Sequence, residues 1–362
     1  VKVAHRLGDA SLAACLLASA RVLSSLRPGS RGKDAVGHPL RHEDGTTSDR
    51  PGGWQVGNPE RPEPLCDQRL LDASESHVQK NAAGFKPREL TSVVLAYSMT
   101  HAGSAELYGV LQRACHEKSR EMPGEQLASV LWSFATVRLG PSLFQEMQFD
   151  VLERVNQLAV PAICDILWAY CVVRHYDPHF FKALLSTLNP SKIEGDPRCA
   201  LLCPALMDLR VKLPDMDPVG LERYAGYARG VFRRQQLAAA APEEERRHIA
   251  EAVAAAGMEC QELADVDGYI VDVLVTAPES NEGAKPVALL YHSPRRTLHL
   301  RTNEPLGQAM MRHRHLRNQG FGVVNVWDRS WDSLELDDRV DFLRARVAGT
   351  LKQGSREQSS HL

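Results

Sequence analysis

The segments LTSVVLAYSMTHAG (90–103), LASVLWSFATVRLG (127–140) and ICDILWAYCVVRHYDP (163–178) fall into one register. Leu90, Leu127 and Ile163 align at steps of 37 and 36 residues, as do Val94, Leu131 and Leu167, and Tyr97, Phe134 and Tyr170. One more step of 36 reaches Leu206 in CALLCPALMDLR (199–210). A second apolar stretch follows each segment, and there Tyr108, Phe144 and Phe180 align at steps of 36. This period is that of a helix–turn–helix unit stacked on itself, an α-solenoid, because one such unit cannot bury its apolar face alone. The aligned aromatics are expected to pack between units rather than to stack on bases. Arg138 and Arg174 align at the ends of the first helices. Two roles stay open for them: complementing the last carbonyls and the helix dipole, or contacting phosphate. The fourth unit is degenerate, with Pro204 inside its first helix and Pro214 and Pro218 after it, as in a capping repeat.

Toward the N-terminus the pattern dissolves. Residues 28–64 are rich in Pro, Gly and charge and read as a linker without a core. Residues 1–33 carry six Lys or Arg and one acid, Asp9, among many Ser, Ala and Leu. That is the composition of an organelle transit peptide, mitochondrial first and plastid as the alternative. The sequence opens on Val, and a start further upstream is expected. We therefore divide the chain into a leader and linker (1–80), a helical array (81–236), a connecting helix and linker (237–267), an α/β domain (268–350) and a polar tail (351–362).

Of the 362 residues, 43% are hydrophobic and 24% charged, and the net charge is −2. This is an ordinary globular composition with no global pull toward nucleic acid. No apolar run is long enough for a membrane span. The eight Cys include no CxxC and no zinc-like pairing with His, so buried thiols are expected.

Toward the C-terminus the period changes. GYIVDVLVTA (268–277) and KPVALLYHS (285–293) read as strands, TLHLRT (297–302) alternates, 305–319 reads as a helix, FGVVNVW (321–327) as a buried strand and 337–351 as a last helix. The order β-β-β-α-β-α implies a small α/β domain behind an all-α array. From His292 to Arg329 seven Arg oppose two acids, a local formal charge of +5. On a helical wheel Leu306, Ala309, Met310, His313 and Leu316 share the apolar face, leaving Arg312, Arg314 and His315 as a phosphate-facing edge. Arg317 near the helix end complements the dipole or joins that edge. His292, Arg295, Arg296, Arg301, Arg329 and the Trp pair Trp327 and Trp331 complete the candidate surface. Cations beside aromatic rings suit a single-stranded or irregular RNA.

The ordered set Gly307, Arg312, Arg314, Leu316, Gly320–Phe321, VVNV, Trp331 and Leu334 resembles the core of a RAP domain, an RNA-binding domain abundant in apicomplexans. DFLRARV (341–347) fits its closing helix, and the resemblance covers roughly residues 268–347. The array before it resembles the octotricopeptide-type repeats that often precede this domain. The resemblance implies a restriction-endonuclease-like scaffold. A nuclease on that scaffold needs an Asp at one strand end and acids on the next, jointly holding a metal. Asp272 stands at the first position. The next strand departs from the pattern: Leu290 and His292 replace its acids, Ser293 replaces a Gly, and Pro294 remains. Asp272 is the one remnant acid, so neither enzymatic activity nor any cofactor or metal is expected. The resemblance implies organellar RNA as partner, in ribosomal RNA stabilisation, ribosome assembly or RNA maturation, with ribosomal proteins as further partners and no DNA. The short array tilts this toward structured ribosomal RNA. The alternatives are a protein–protein scaffold built on the array and, behind it, a metal-dependent nuclease.

Overall fold

The computed structural model describes residues 13, 16, 66–189, 193, 196–216, 222–276, 285–293 and 296–359. A mostly helical N-terminal region is followed by a small domain on a four-stranded mixed sheet. The helices are α1 (Cys66–Asn81), α2 (Pro87–Thr100), α3 (Ala105–Glu117), α4 (Gly124–Val137), α5 (Ser142–Glu153), α6 (Val160–Val173), α7 (Pro178–Ser186), α8 (Leu202–Lys212), α9 (Glu222–Ala238) and α10 (Glu243–Ala255). They form two layers: α2, α4, α6 and α8 lie side by side, and α1, α3, α5 and α7 line up behind them.

The aligned aromatics explain the stacking. Tyr97, Phe134, Tyr170, Tyr108, Phe144 and Phe180 are all buried. Tyr108 meets Phe134 edge to face at 5.6 Å, and Phe144 meets Tyr170 in the same way at 5.3 Å. The second-helix ring of one unit thus packs against the first-helix ring of the next. Each such pair adds about 0.5–1.5 kcal/mol beyond its buried area. The Tyr170 hydroxyl donates to the Phe144 carbonyl, and the Tyr97 hydroxyl donates to the Leu71 carbonyl across the same 26 residues. Leu71 of α1 therefore occupies the second-helix position of a preceding unit. α1, which falls within the expected 1–80 leader and linker, packs on the helices that follow, with Leu71 and Val78 buried in their core. Ala13 and Leu16 are helical and buried in that core as well; the rest of the expected leader and the linker 28–64 lie outside the described residues.

The first helices α2, α4 and α6 end alike, whereas α8 closes at Leu213 with φ −133°. His101, Arg138 and Arg174 adopt the left-handed conformation, at φ 56, 59 and 61°. The next residue's N–H reaches back to the carbonyl of the aligned aromatic: Ala102 to Tyr97, Leu139 to Phe134, His175 to Tyr170. This is the Schellman closure, made with a non-Gly residue where Gly is cheaper. In the fourth unit Pro204 is the third residue of α8, in the first turn, where its missing N–H costs no helical bond.

The sheet runs β1 (Cys260–Val266), β2 (Tyr269–Val275), β3 (Val287–His292), β4 (Gly322–Trp327) in that spatial order. β1–β2 and β2–β3 are antiparallel; β3 and β4 are parallel. The crossover between β3 and β4 is α11 (Gly307–Asn318); the one-turn α12 (Asp328–Trp331) and α13 (Leu336–Ser359) follow β4. One face of the sheet packs on α10 and α13 through Val273, Leu289, Val326, Trp331 and Leu343. Leu316 of α11 packs the other face through Val271, Leu290 and Val323. Two differences from expectation stand out. β1 begins eight residues before the expected start of the domain; its sequence CQELADV is too polar to read as a strand, and its pairing comes from the tight turn Asp267–Gly268, both at positive φ. Residues 297–302 make no strand: they form only the bridge Leu298–Pro305 and dock on the helical region instead, where Leu300 N–H donates to the His101 carbonyl. Five cysteines, Cys115, Cys164, Cys171, Cys199 and Cys203, are buried thiols as expected, and Cys260 is partly so.

Candidate nucleic-acid interface

The C-terminal domain lies against the rim where α4, α6 and α8 end. Gly307 at the start of α11 touches α4 and α6. A Cβ there would press into the Ala135 carbonyl and stand 2.7 Å from Val172 Cγ1. One end of this contact is held by Arg138, whose Nη1 donates to the Pro305 carbonyl at 3.1 Å and faces Glu304 at 3.7 Å. Further along, Arg301 pairs with Asp72 at 3.2 Å and with Glu75 at 2.6 Å on α1.

The centre of the junction is Asp208 of α8, 0% exposed. Its carboxylate accepts Arg314 Nε at 3.1 Å and Nη2 at 2.8 Å, His315 Nε2 at 3.0 Å and the Tyr176 hydroxyl. Arg314 also donates to the Cys171 carbonyl at 2.9 Å. Burial alone would raise the Asp208 carboxyl, but the bonds from His315 and Tyr176 and the Arg314 charge outweigh it and hold the group below its ordinary value. His315 Nδ1 meets the Tyr269 hydroxyl of β2 at 2.9 Å. The chain Tyr176–Asp208–His315–Tyr269 thus crosses from the helical region into the sheet.

The expected basic edge is therefore largely internal. The helical wheel was rotated: His315 and Met311 are buried, and Met310 is 36% exposed. Arg314 and His315 face Asp208 rather than solvent. Arg312, with a side chain 12% exposed, reaches the Ile270 carbonyl at 2.5 Å and Asp272 at 3.4 Å. Arg296 donates to the Ala239 carbonyl. Trp331 is buried in the α10–α13 core, with Arg339 over its ring at 5.2 Å. Arg295 lies outside the described residues. For Arg312, Arg314 and His315 the reason is shared: α11 has two partners, the sheet and the helical rim, where the wheel allowed one.

His292 and Trp327, cross-strand partners at the carboxyl ends of β3 and β4, stack at 5.0 Å. His292 bonds Thr297 Oγ1 and Asn325 Oδ1, each at 3.0 Å. Burial pushes its pKa down to about 4 despite the Asn325 bond, so the ring is neutral at pH 7. Trp327 keeps part of its surface open; Arg174, Arg317 and Arg329 are exposed.

Asp272 is fully buried. Its Oδ1 accepts the Ala241 N–H at 3.0 Å and its Oδ2 accepts the Tyr291 N–H at 3.1 Å, with Arg312 alongside. Both oxygens serve the fold. No cluster of three or more His, Cys, Asp or Glu fit to hold a metal occurs among the described residues. Nor is any helix among them long and apolar enough to cross a membrane.

Sequence reasoning missed Asp208, Tyr176 and Tyr269, whose roles depend on contacts 32 to 106 residues apart in sequence. It also missed Arg210, exposed on α8, although the repeat points to it: Arg210 is one more step of 36 beyond Arg138 and Arg174.

Residues 295–346 match the RAP domain family. That match covers α11, β4, α12 and much of α13, and it suggests RNA binding in general. No curated protein matches the chain.

Proposed function

We propose that this chain is a non-catalytic RNA-binding protein, a helical-repeat solenoid carrying a RAP domain on a restriction-endonuclease-like scaffold. The observation that carries the reading is the RAP match over residues 295–346. Two further features support it. Arg174, Arg317 and Arg329 stay exposed in a chain of near-zero net charge, and Trp327, in the same domain as Arg317 and Arg329, is only partly buried. The absence of catalysis is argued from Asp272, whose two oxygens are taken by backbone N–H groups, and from Leu290 where a second carboxylate would stand.

The cellular reading is organellar, mitochondrial first, resting on the basic, acid-poor composition of residues 1–33. Ribosomal RNA, with ribosomal proteins beside it, is the favoured target, because a short array reads few bases on its own.

The test is binding of fluorescent single-stranded and hairpin RNA at 50–200 mM salt, with and without Mg²⁺. RNA binding that weakens steeply as salt rises is expected. Salt-insensitive capture of a protein with no RNA retention would favour the scaffold, and Mg²⁺-dependent cleavage would sink the non-catalytic reading. Crosslinking in isolated organelles, followed by sequencing of the attached RNA, separates ribosomal from messenger targets.

A further inference from the structure

The expected basic edge is spent on holding the domain to the helical rim, so RNA must meet cations elsewhere. We propose that RNA follows the seam between the two, its phosphates carried by Arg174, Arg210 and Arg317. This rests on the RNA-binding reading above and assigns that reading its path.

Three observations place these residues on one line. First, Arg138, Arg174 and Arg210 recur at steps of 36, the first two capping α4 and α6 and the third in the last turn of the adjacent α8. Neighbouring helices pack about 8–10 Å apart, so the rim presents a cation at about that interval. Second, Arg314 bridges the Cys171 carbonyl to Asp208. Arg174 lies three residues past the first and Arg210 two past the second, so both flank the bridge. Arg317 lies three residues beyond Arg314 on α11, on the neighbouring turn. Third, α11 runs along the rim rather than across it. Its first residue touches α4 and α6, its last turns touch α6 and α8, and its 12 residues span about 18 Å, close to two helix spacings.

The acids beside the seam have partners of their own: Asp267 faces Arg229 at 3.4 Å and accepts from Gln319 at 3.0 Å. Glu304 is taken up by Arg138. Asp177 accepts from Gln148 and caps α7 through the His179 and Phe180 N–H groups. Asp208 is sealed beneath Arg314 and His315. Arg174, Arg210 and Arg317 stand exposed above them. Arg174 also holds a left-handed backbone that costs a side-chain-bearing residue about 1 kcal/mol and glycine almost nothing. Spaced cations beside a rigid wall are what a single-stranded backbone can track.

The experiment measures single-stranded RNA binding by the full chain from 50 to 200 mM salt. It compares wild type with the triple variant Arg174→Glu, Arg210→Glu, Arg317→Glu, with the same triple to Lys, and with Arg113→Glu on exposed α3 as a charge control. The Glu triple is expected to lose at least tenfold in affinity and to flatten the log–log salt slope by about 2–3. The Lys triple should keep most of the slope, and Arg113→Glu should stay within about twofold. Unchanged binding in a folded Glu triple, while wild type binds, overturns the seam and leaves RNA binding standing. A wild type that binds no RNA overturns the RNA reading itself and the seam with it.

Discussion

Asp208 and Arg314 face one another across the junction as a two-armed ion pair, 2.8 and 3.1 Å long, with the carboxylate fully buried and the guanidinium nearly so. A buried pair of this kind contributes little relative to an apolar pair of the same shape, yet removing one partner strands the other. Asp208→Ala is expected to cost about 3–5 kcal/mol in urea unfolding. Arg314→Met with Asp208→Leu should cost much less than the sum of the two single changes. A double-mutant cycle with no coupling would refute the pair as the centre of the junction.

Gly307 and Gly226 offer a contrast in the same substitution. Gly307→Ala drives a methyl against the Ala135 carbonyl and Val172, so it should destabilise by about 1–3 kcal/mol and loosen α11 from the rim. Gly226 in α9 has open space around it, and Gly226→Ala should stabilise by up to about 1 kcal/mol. Thermal melts of both variants check the pair.

Asp272→Asn separates a structural role from a catalytic one. Each oxygen faces a backbone N–H, so either orientation of the amide turns its NH₂ against a donor. A loss of about 2–4 kcal/mol in stability is expected. A variant as stable as wild type would mean that the carboxylate is held for some other purpose.

His292 sets an acid limit. Its folded pKa, about 4, lies below the unfolded value, so the unfolded chain takes up the proton first. Stability should therefore be full above about pH 6.5 and fall as pH drops toward 4, by about 2 kcal/mol at pH 5. His292→Gln should flatten that part of the profile. A wild-type curve level between pH 7 and 5 would contradict the burial argument.

Much of the fold was legible in sequence because it is local. The aromatics at steps of 36 and 37 mark helices that must share a core, and the apolar runs of β2, β3 and β4 mark strands buried on both faces. β1 was hidden because an edge strand with one open face can be polar. The basic segment was read as a surface because seven Arg with few acids nearby looks solvent-facing. The acids that answer it, Asp72, Glu75 and Asp208, lie at distances in sequence that no local pattern reveals. What was legible there was the repeat: the step that aligned Arg138 with Arg174 also reaches Arg210.

The junction also sets an order of events during synthesis. Arg314 follows Asp208 by 106 residues. At about 5–20 residues per second, the helical rim stands finished for roughly 5–20 s before α11 emerges to cover it. Throughout that interval a carboxylate meant for burial and the apolar ends of α4 and α6 face solvent. The nascent chain is thus most exposed to premature association just before its last sixth appears, and a truncation before Gly307 would hold it in that state permanently.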